Sequence, residues 1–199
     1  MNKLIKEDFG NIDIYLFDQL LKERYLIKDK ILDAGCGKGR NMHWFYHHKF
    51  NIYGVDKDSE SIESIKRIYP KLKDNFIISE LDIIPFEDNF FNHIISNAVL
   101  HFAKSIYHFE IMFAELVRVL KVDGSLFIRM TSNIGIEKEV KEISEGVYSI
   151  PDGTTRFLIT KELIDKEMSK HHLLFLEPLK TVNVNDMRCM TTLVLKKVR

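Results

Sequence analysis

The stretch LDAGCGKGRN occupies residues 32–41 and combines one acidic residue with three glycines at alternate positions. It follows a short apolar run, a pattern typical of a buried strand that enters a tight loop. Glycine is needed where a backbone takes a positive φ or must touch a ligand without an intervening Cβ. A fingerprint for a nicotinamide dinucleotide places its third glycine one residue later, where this chain has Arg40. The spacing therefore disfavours a dinucleotide cofactor.

Apolar runs alternate with helical patterns on both sides of this loop. The strand-like runs cover residues 30–33, 52–55, 76–78, 93–96 and 125–130, and the helical patterns cover residues 12–27, 40–49, 58–69, 105–120 and 160–170. Such alternation predicts βαβ units and a mostly parallel sheet. Two later apolar runs, 173–176 and 190–195, lie close enough to form an antiparallel pair. We expect an α/β fold: a single-domain, doubly wound, mostly parallel seven-stranded sheet with an antiparallel C-terminal strand.

Composition limits both the class of protein and its partners. The 199 residues are 45% hydrophobic and 29% charged, which is typical of one soluble globular domain. Lys plus Arg and Asp plus Glu each total 29, so the chain lacks the basic field of a nucleic-acid-binding protein. Two cysteines are too few for a disulfide framework and favour a reducing, cytoplasmic setting. Neither a signal-peptide pattern nor an apolar run near the ~20 residues of a membrane span is present, so we expect no membrane as partner. The balanced charge likewise predicts no nucleic acid as partner.

Asp33 directly precedes the glycines, and its carboxylate would repel a pyrophosphate but attract a cationic amino group. With this acid and this spacing, the loop resembles the first motif of the class I S-adenosylmethionine-dependent methyltransferases, and the resemblance extends over about residues 27–130. The letters CGKGRN also resemble the loop of small tellurite-resistance-type methyltransferases. The resemblance implies a Rossmann-like methyltransferase fold and S-adenosyl-L-methionine as cofactor. The residues implied to bind this cofactor are Asp33, Gly35, Cys36, Gly37, Arg40, Asn41, Asp56, Lys57, Leu81, Asp82, Ile83, Asn97 and Ala98.

Two acids after the second and third predicted strands are the implied contacts for the nucleoside. Asp56 stands where the family places an acid that accepts both ribose hydroxyls; the alternative is a solvated turn or helix-capping residue. Asp82 would accept the exocyclic amine of adenine, while Leu81 and Ile83 enclose the ring. Glu80 is the competing carboxylate, and a loop acid without a partner is the remaining alternative for Asp82.

Residues 95–102, ISNAVLHF, resemble the family's fourth motif, which lies beside the methyl group being transferred. The resemblance implies that Asn97 offers its backbone carbonyl to the ammonium group. His101 is the candidate general base, because neutral imidazole is available near neutral pH. The alternative is that His101 packs against Phe102 or caps the next helix. No partner residues complete a metal-ligand set around the histidines, so we expect no metal.

The function implied is methyl transfer to a small-molecule acceptor by in-line displacement, with S-adenosylhomocysteine as product. A sulfonium is already a good leaving group, so the protein mainly aligns the nucleophile and excludes water. Neutral net charge favours a small molecule over RNA. Protein or RNA methylation, and a regulatory module that binds the cofactor without turnover, are the alternatives. The sequence carries no signal for the identity of the acceptor or the oligomeric state.

The single domain divides into four regions. Residues 1–28 are expected to form an N-terminal helical cover, residues 29–130 the cofactor-binding core, residues 131–159 a lid insertion, and residues 160–199 a C-terminal helix and strand pair. The insertion interrupts the alternation with glycines, a proline and charged residues. A connection from this strand emerges on the ligand side of such a sheet, so Arg156 would either face an anionic acceptor or be solvated.

Overall fold

The computed structural model describes residues 3–199. Its helices are α1 (Lys3–Phe9), α2 (Ile14–Leu21), α3 (His43–His47), α4 (Ser59–Ile68), α5 (Ile106–Val119) and α6 (Lys161–Lys170). Its strands are β1 (Lys30–Ala34), β2 (Asn51–Asp56), β3 (Phe76–Ile78), β4 (Phe91–Asn97), β5 (Leu120–Ser132), β6 (Lys141–Ser144), β7 (Val147–Ser149), β8 (Thr155–Phe157), β9 (Leu173–Phe175), β10 (Lys180–Val184) and β11 (Arg188–Lys197). Short 3-10 helices span Pro70–Asn75 and Leu100–Phe102.

The main sheet has seven positions in the order β10-β11-β5-β4-β1-β2-β3. The strands β1 to β5 pair in parallel, and β11 runs antiparallel between β5 and β10. Two strands, β10 and β9, pair with different parts of β11 on its outer side, so the sheet contains eight strands. The α/β, doubly wound, mostly parallel fold with an antiparallel C-terminal strand is thereby confirmed.

Helices cover both faces of this sheet, because its central strands are apolar on both sides. On one face, α5 and α6 bury Phe109 and Ile164. On the other face, α2, α3 and α4 bury Leu16, Phe45 and Ile62. The two cores hold the parallel strands so that their carboxyl ends meet at one edge, which is where ligands bind in sheets of this kind.

Two helices are shorter than the sequence pattern predicts. Residues 12–27 are helical only over α2, because Glu23 takes a positive φ of 53° soon after it. Residues 40–49 are helical only over α3, because the glycine loop continues as a turn in which the Met42 N–H donates to the Gly39 carbonyl at 3.0 Å. The other three predicted helices are present as α4, α5 and α6, and α1 was not predicted. Across residues 3–199, no helix has both the length and the apolar character that crossing a membrane needs.

The segment 131–159 carries its own secondary structure. Its strands β6, β7 and β8 form a separate three-stranded antiparallel sheet. Phe157 of β8 is buried and stacks on Phe109 of α5, with the ring centroids 4.9 Å apart. The Ile159 N–H donates to the Thr131 carbonyl at 3.1 Å, so the segment returns to the point where it left β5. The small sheet therefore stands at the carboxyl end of β5.

Candidate functional site

Hydrogen bonds tie the glycine loop to the end of β2. The Gly35 N–H donates to the Val55 carbonyl at 2.8 Å. One carboxylate oxygen of Asp56 accepts from the Gly37 N–H at 2.8 Å, and the other accepts from the Asp58 N–H at 2.9 Å. Each carboxylate oxygen can accept a further hydrogen bond. The carboxylate of Asp56 is therefore held in one orientation while keeping the capacity to accept two hydroxyl groups.

Asp33 is a buried acid without a partner. Its residue is 1% exposed, and neither carboxylate oxygen has a hydrogen-bond partner among residues 3–199. Burial raises the pKa of this carboxyl to about 7, while the Arg40 guanidinium lowers it and Asp56 raises it. The side-chain amide of Asn97 is also buried without a partner in the described chain. Because buried polar groups are normally paired, both side chains suit a ligand that brings donors and acceptors with it.

A first cavity of about 240 Å³ lies beside the loop, at the carboxyl edge of the sheet. Six residues expected to bind the cofactor line it: Gly35, Asp56, Lys57, Leu81, Asn97 and Ala98. The other lining residues are Ser79, Glu80, Val99, Phe102, Lys104, His108 and Met112. Gly35 has φ of +84°, and a Cβ there would lie 2.3 Å from Val99 Cγ2. Glycine is therefore required at this point of the wall.

Four loop residues from the expected cofactor set do not line the first cavity: Cys36, Gly37, Arg40 and Asn41. Asp33, at the end of β1, does not line it either. Cys36 is buried beneath the loop, against Gly54 of β2. Asn41 Oδ1 accepts a hydrogen bond from the Asp13 N–H at 3.2 Å, which joins the loop to the start of α2. The side chains of Cys36 and Asn41 thus stabilise the loop without lining the first cavity.

The loop after β3 differs from the expected adenine contacts. Leu81 lines the first cavity, but Ile83 is 73% exposed and lies outside it, so the two side chains do not enclose a ring. The Ser79 hydroxyl donates to the Ile83 carbonyl at 2.6 Å, which closes a tight turn that leaves the Ile83 side chain in solvent. Glu80 lines the cavity whereas Asp82 does not. Glu80 is therefore better placed than Asp82 to contact a ligand in the first cavity.

A second cavity of about 310 Å³ adjoins the first. Arg40 and His101 from the expected site line this cavity, and so does Arg156 of the insertion. The other lining residues are Asp13, Ala98, Arg129, Thr131, Ile150, Asp152, Thr154, Val184, Arg188 and Met190. Ala98 lines both cavities and has φ of +62°, a left-handed conformation that is uncommon without glycine and often marks functional turns. The two cavities meet at this turn.

His101 is buried in the wall of the second cavity. Its Nδ1 has no hydrogen-bond partner among residues 3–199. Burial lowers the pKa of His101 to about 4, and the positive charges of Arg156, Arg129 and Arg188 add to the effect. The ring also packs edge-on against Phe102, with the centroids 4.5 Å apart. His101 therefore combines the expected packing contact with a position on the cavity, as a neutral imidazole at physiological pH.

Sequence reasoning missed most of the second cavity. Arg129 stands within the apolar run 125–130, and a single charge in a buried strand was a usable signal. Arg188 and Asp152 have no local pattern that separates them from solvated surface residues. Arg188 reaches the cavity only because β11 pairs with β5 over a long sequence separation.

Parts of the chain are similar in sequence to known methyltransferases. Residues 32–128 match a family model described as "Methyltransferase domain". The chain is 32% identical over 114 residues to the Bacillus subtilis (strain 168) protein named "Uncharacterized methyltransferase YodH", an alignment that covers 56% of this chain and 44% of the relative. This chain spans between 44% and 64% of the length of three curated relatives that it matches.

Solved structures share the fold over nearly the whole chain. An S-adenosylmethionine-dependent methyltransferase from Methanosarcina mazei matches with a TM-score of 0.72 at 18% identity, over 90% of this chain and 98% of the other. The 1,6-didemethyltoxoflavin-N1-methyltransferase of Burkholderia thailandensis, solved with 1,6-didemethyltoxoflavin and S-adenosylhomocysteine, matches with a TM-score of 0.71 at 14% identity, over 99% and 82% of the two chains. The fold is that of the Rossmann-like methyltransferases. The match of residues 32–128 to the methyltransferase domain model agrees with this fold.

Proposed function

We propose that the chain is an enzyme that binds S-adenosyl-L-methionine in the first cavity and transfers its methyl group to a small molecule in the second, leaving S-adenosylhomocysteine. The observation that carries this proposal is the buried, unpartnered carboxylate of Asp33, which lies behind the lining of the first cavity and close enough to Asp56 for the two charges to interact. The ammonium group of the cofactor would pair with Asp33 and lower its raised pKa. The family match of the segment that contains these residues supports the same ligand.

The remaining cofactor contacts follow from the first cavity. Asp56, oriented by two backbone N–H groups, accepts the ribose hydroxyls. Leu81 packs against the adenine ring, and Glu80 takes the place proposed from the sequence for Asp82 as acceptor for the exocyclic amine. The backbone carbonyl of Asn97 meets the ammonium group, and its unpartnered side-chain amide faces the same ligand.

The second cavity then holds the acceptor at the turn formed by Ala98. When bound, the cofactor supplies an electrophilic methyl group on a sulfonium. The chain's own residues align the acceptor and exclude water, which is the main requirement of such a displacement. His101 contacts the acceptor through its unpartnered Nδ1. With a pKa of about 4, this neutral imidazole is suited to accept a hydrogen bond and orient the nucleophile more than to store a proton.

Methyl-labelled S-adenosylmethionine tests the proposal directly. The purified chain is incubated with the labelled cofactor and a metabolite extract. We expect label in the small-molecule fraction and an equal amount of S-adenosylhomocysteine. Asp33→Asn should abolish both signals, whereas Asp74→Asn, at an exposed position outside both cavities, should leave them unchanged. Absence of labelled small molecules in the wild-type reaction would contradict the proposal.

The same reaction separates the alternatives. Label in protein or RNA would assign a macromolecular acceptor, and tight binding of S-adenosylhomocysteine without any turnover would indicate a regulatory module. A small molecule is favoured because the acceptor side is a cavity of about 310 Å³ and the chain has no net charge. The fold neighbour from Burkholderia thailandensis is likewise named for a small-molecule acceptor.

A further inference from the structure

The second cavity concentrates positive charge. Four arginines and two aspartates line it: Arg40, Arg129, Arg156, Arg188, Asp13 and Asp152. They come from the glycine loop, the residue before α2, the strands β5, β8 and β11, and the connection before β8. The chain as a whole has no net charge. Because His101 is neutral, the cavity carries an excess of positive charge that the rest of the surface does not share.

The two aspartates leave much of the arginine hydrogen-bonding capacity free. Arg129 Nη1 lies 3.4 Å from Asp13 Oδ2, while Arg129 Nε is buried without a partner among residues 3–199. Arg188 Nη1 lies 3.9 Å from Asp152 Oδ2, which is beyond hydrogen-bond distance. Asp152 instead accepts from the Thr154 N–H and hydroxyl, at 2.9 and 2.7 Å. A ligand with acceptor oxygens would satisfy the donors that the protein leaves open.

Arg156 stands where the two cavities meet. Its guanidinium lies over the Phe102 ring, 5.2 Å from the centroid, and Phe102 lines the first cavity. Nη1 donates to the Thr155 carbonyl at 2.8 Å. Stacking on an aromatic ring orients a guanidinium plane and leaves its remaining N–H groups available. Arg156 can therefore contact an acceptor close to the point of methyl transfer.

We infer that the second cavity binds a small acceptor that carries a carboxylate or phosphate group, held by Arg129, Arg156 and Arg188. The inference rests on the proposed function and adds the chemical class of the acceptor. Guanidinium forks match both anions in geometry and charge. The cofactor carries one carboxylate, and Arg40 beside the Asp33 loop can meet it, so positive charge remains for the acceptor. A cavity of about 310 Å³ in a chain without net charge favours a small anion over a polyanion.

Calorimetry on matched variants tests this inference. Wild type, Arg156→Gln, Arg188→Gln and a control, Arg67→Gln on the exposed side of α4, are each titrated with S-adenosylhomocysteine. Inorganic phosphate and succinate are then titrated separately, with and without S-adenosylhomocysteine, so that a phosphate and a carboxylate site are distinguished. We expect saturable binding of at least one anion to wild type. Each cavity variant should weaken that binding by about tenfold, the effect of losing one charged hydrogen-bond partner.

The control should bind the anions as wild type does, and S-adenosylhomocysteine affinity should be the same in all four proteins. Saturable binding of neither anion to wild type would overturn the inference. Equal weakening in Arg67→Gln would do so too, because the anion would then bind elsewhere. Loss of S-adenosylhomocysteine binding in Arg156→Gln or Arg188→Gln would assign the arginines to the cofactor instead. Failure of S-adenosylhomocysteine to bind wild type would remove the proposed function, while the cofactor-free anion titrations still decide the inference.

Discussion

The two cavities share the turn at Ala98 but differ in charge and in construction. Two acids and two lysines line the first, whereas four arginines and two aspartates line the second. The acids of the first site follow one another in short motifs: Asp56 and Glu80, after β2 and β3, line the cavity, and Asp33 of β1 lies buried beneath the glycine loop, 23 residues before Asp56. The second draws its arginines from the loop after β1 and from β5, β8 and β11. Recognition of the common cofactor is therefore encoded locally. Recognition of the acceptor depends on the tertiary fold, which brings distant residues together.

Replacing the buried acid beneath the glycine loop should have the largest effect on cofactor binding. Asp33→Asn removes the proposed partner of the ammonium group, and we expect S-adenosylhomocysteine affinity to fall by about 100-fold, corresponding to ~3 kcal/mol for a charged hydrogen bond. Isothermal titration calorimetry at neutral pH measures the loss. Asp74→Asn serves as the surface control. Unchanged affinity in a folded Asp33→Asn protein would show that the buried acid does not meet the cofactor.

The same variant should stabilise the cofactor-free fold at alkaline pH. The Asp33 carboxyl has its ordinary pKa of 3.8 in an unfolded chain and a pKa of about 7 in the fold, so the folded state holds a proton that the unfolded chain releases between these values. Stability therefore falls as pH rises from about 4 to about 7 and stays low above that range. Asp33→Asn removes this cost, for a gain of up to about 4 kcal/mol at pH ~8 and little gain at pH ~4. Urea unfolding at the two pH values measures it, and a loss of stability at the higher pH would refute the assignment.

Asp56 should contribute less, because only neutral hydroxyl groups meet it. Asp56→Ala leaves the ribose hydroxyls and the Gly37 N–H without an acceptor, and we expect S-adenosylhomocysteine binding to weaken by about 1–3 kcal/mol. Thermal unfolding should confirm that the variant is folded. If calorimetry finds wild-type affinity in the folded variant, the ribose does not lie at the end of β2.

His101 tests the charge of the second cavity. Burial and the arginines hold its pKa at about 4, so its imidazole should stay neutral from about pH 5.5 upward. NMR titration of the histidine ring, with a His101→Gln spectrum for assignment, measures this pKa. Binding of succinate or phosphate should raise it, because the anion offsets the neighbouring positive charges. A midpoint near 6.5 in the free protein would mean that the ring is neither buried nor faced by the arginines.

The smallest expected effect concerns the two segments that line the second cavity. Residues 1–2 of the expected N-terminal cover lie outside the described residues. We propose that residues 3–28 and 131–159 cover the second cavity, because Asp13 and Arg156 line it. S-adenosylhomocysteine should then slow hydrogen exchange in residues 15–27 and 135–156. The surface of α4 provides an internal reference within the same experiment. Equal exchange with and without the ligand would argue against a cover.

The sequence was most informative where chemistry and backbone geometry fall in one short stretch. The glycine spacing and the preceding Asp33 predicted the strand, the loop and the ligand class together, because a tight turn limits which residues fit. The orientation of Ile83 was not predictable in this way, since it depends on the Ser79 hydroxyl bond within the turn. Arg188 was not predictable either, because its place depends on the pairing of β11 with β5.

The lengths of the helices were also only partly predictable from the sequence. The apolar spacing located α2 correctly but extended it to residue 27, because periodicity does not register the left-handed turn at Glu23. The segment 131–159 was interpreted as an interruption, since its strands are too short and polar to give a clear alternation. Its small sheet is held by the packing of Phe157 on Phe109, which is a contact between distant parts of the chain.

Separate calorimetric titrations with two alternative ligands test the central claim most directly. Wild-type protein is titrated with S-adenosylhomocysteine and, separately, with NAD. The account predicts one S-adenosylhomocysteine bound per chain at micromolar or tighter affinity and no heat of binding for NAD, because Asp33 favours an ammonium group and opposes a pyrophosphate. Binding of NAD without binding of S-adenosylhomocysteine would contradict it.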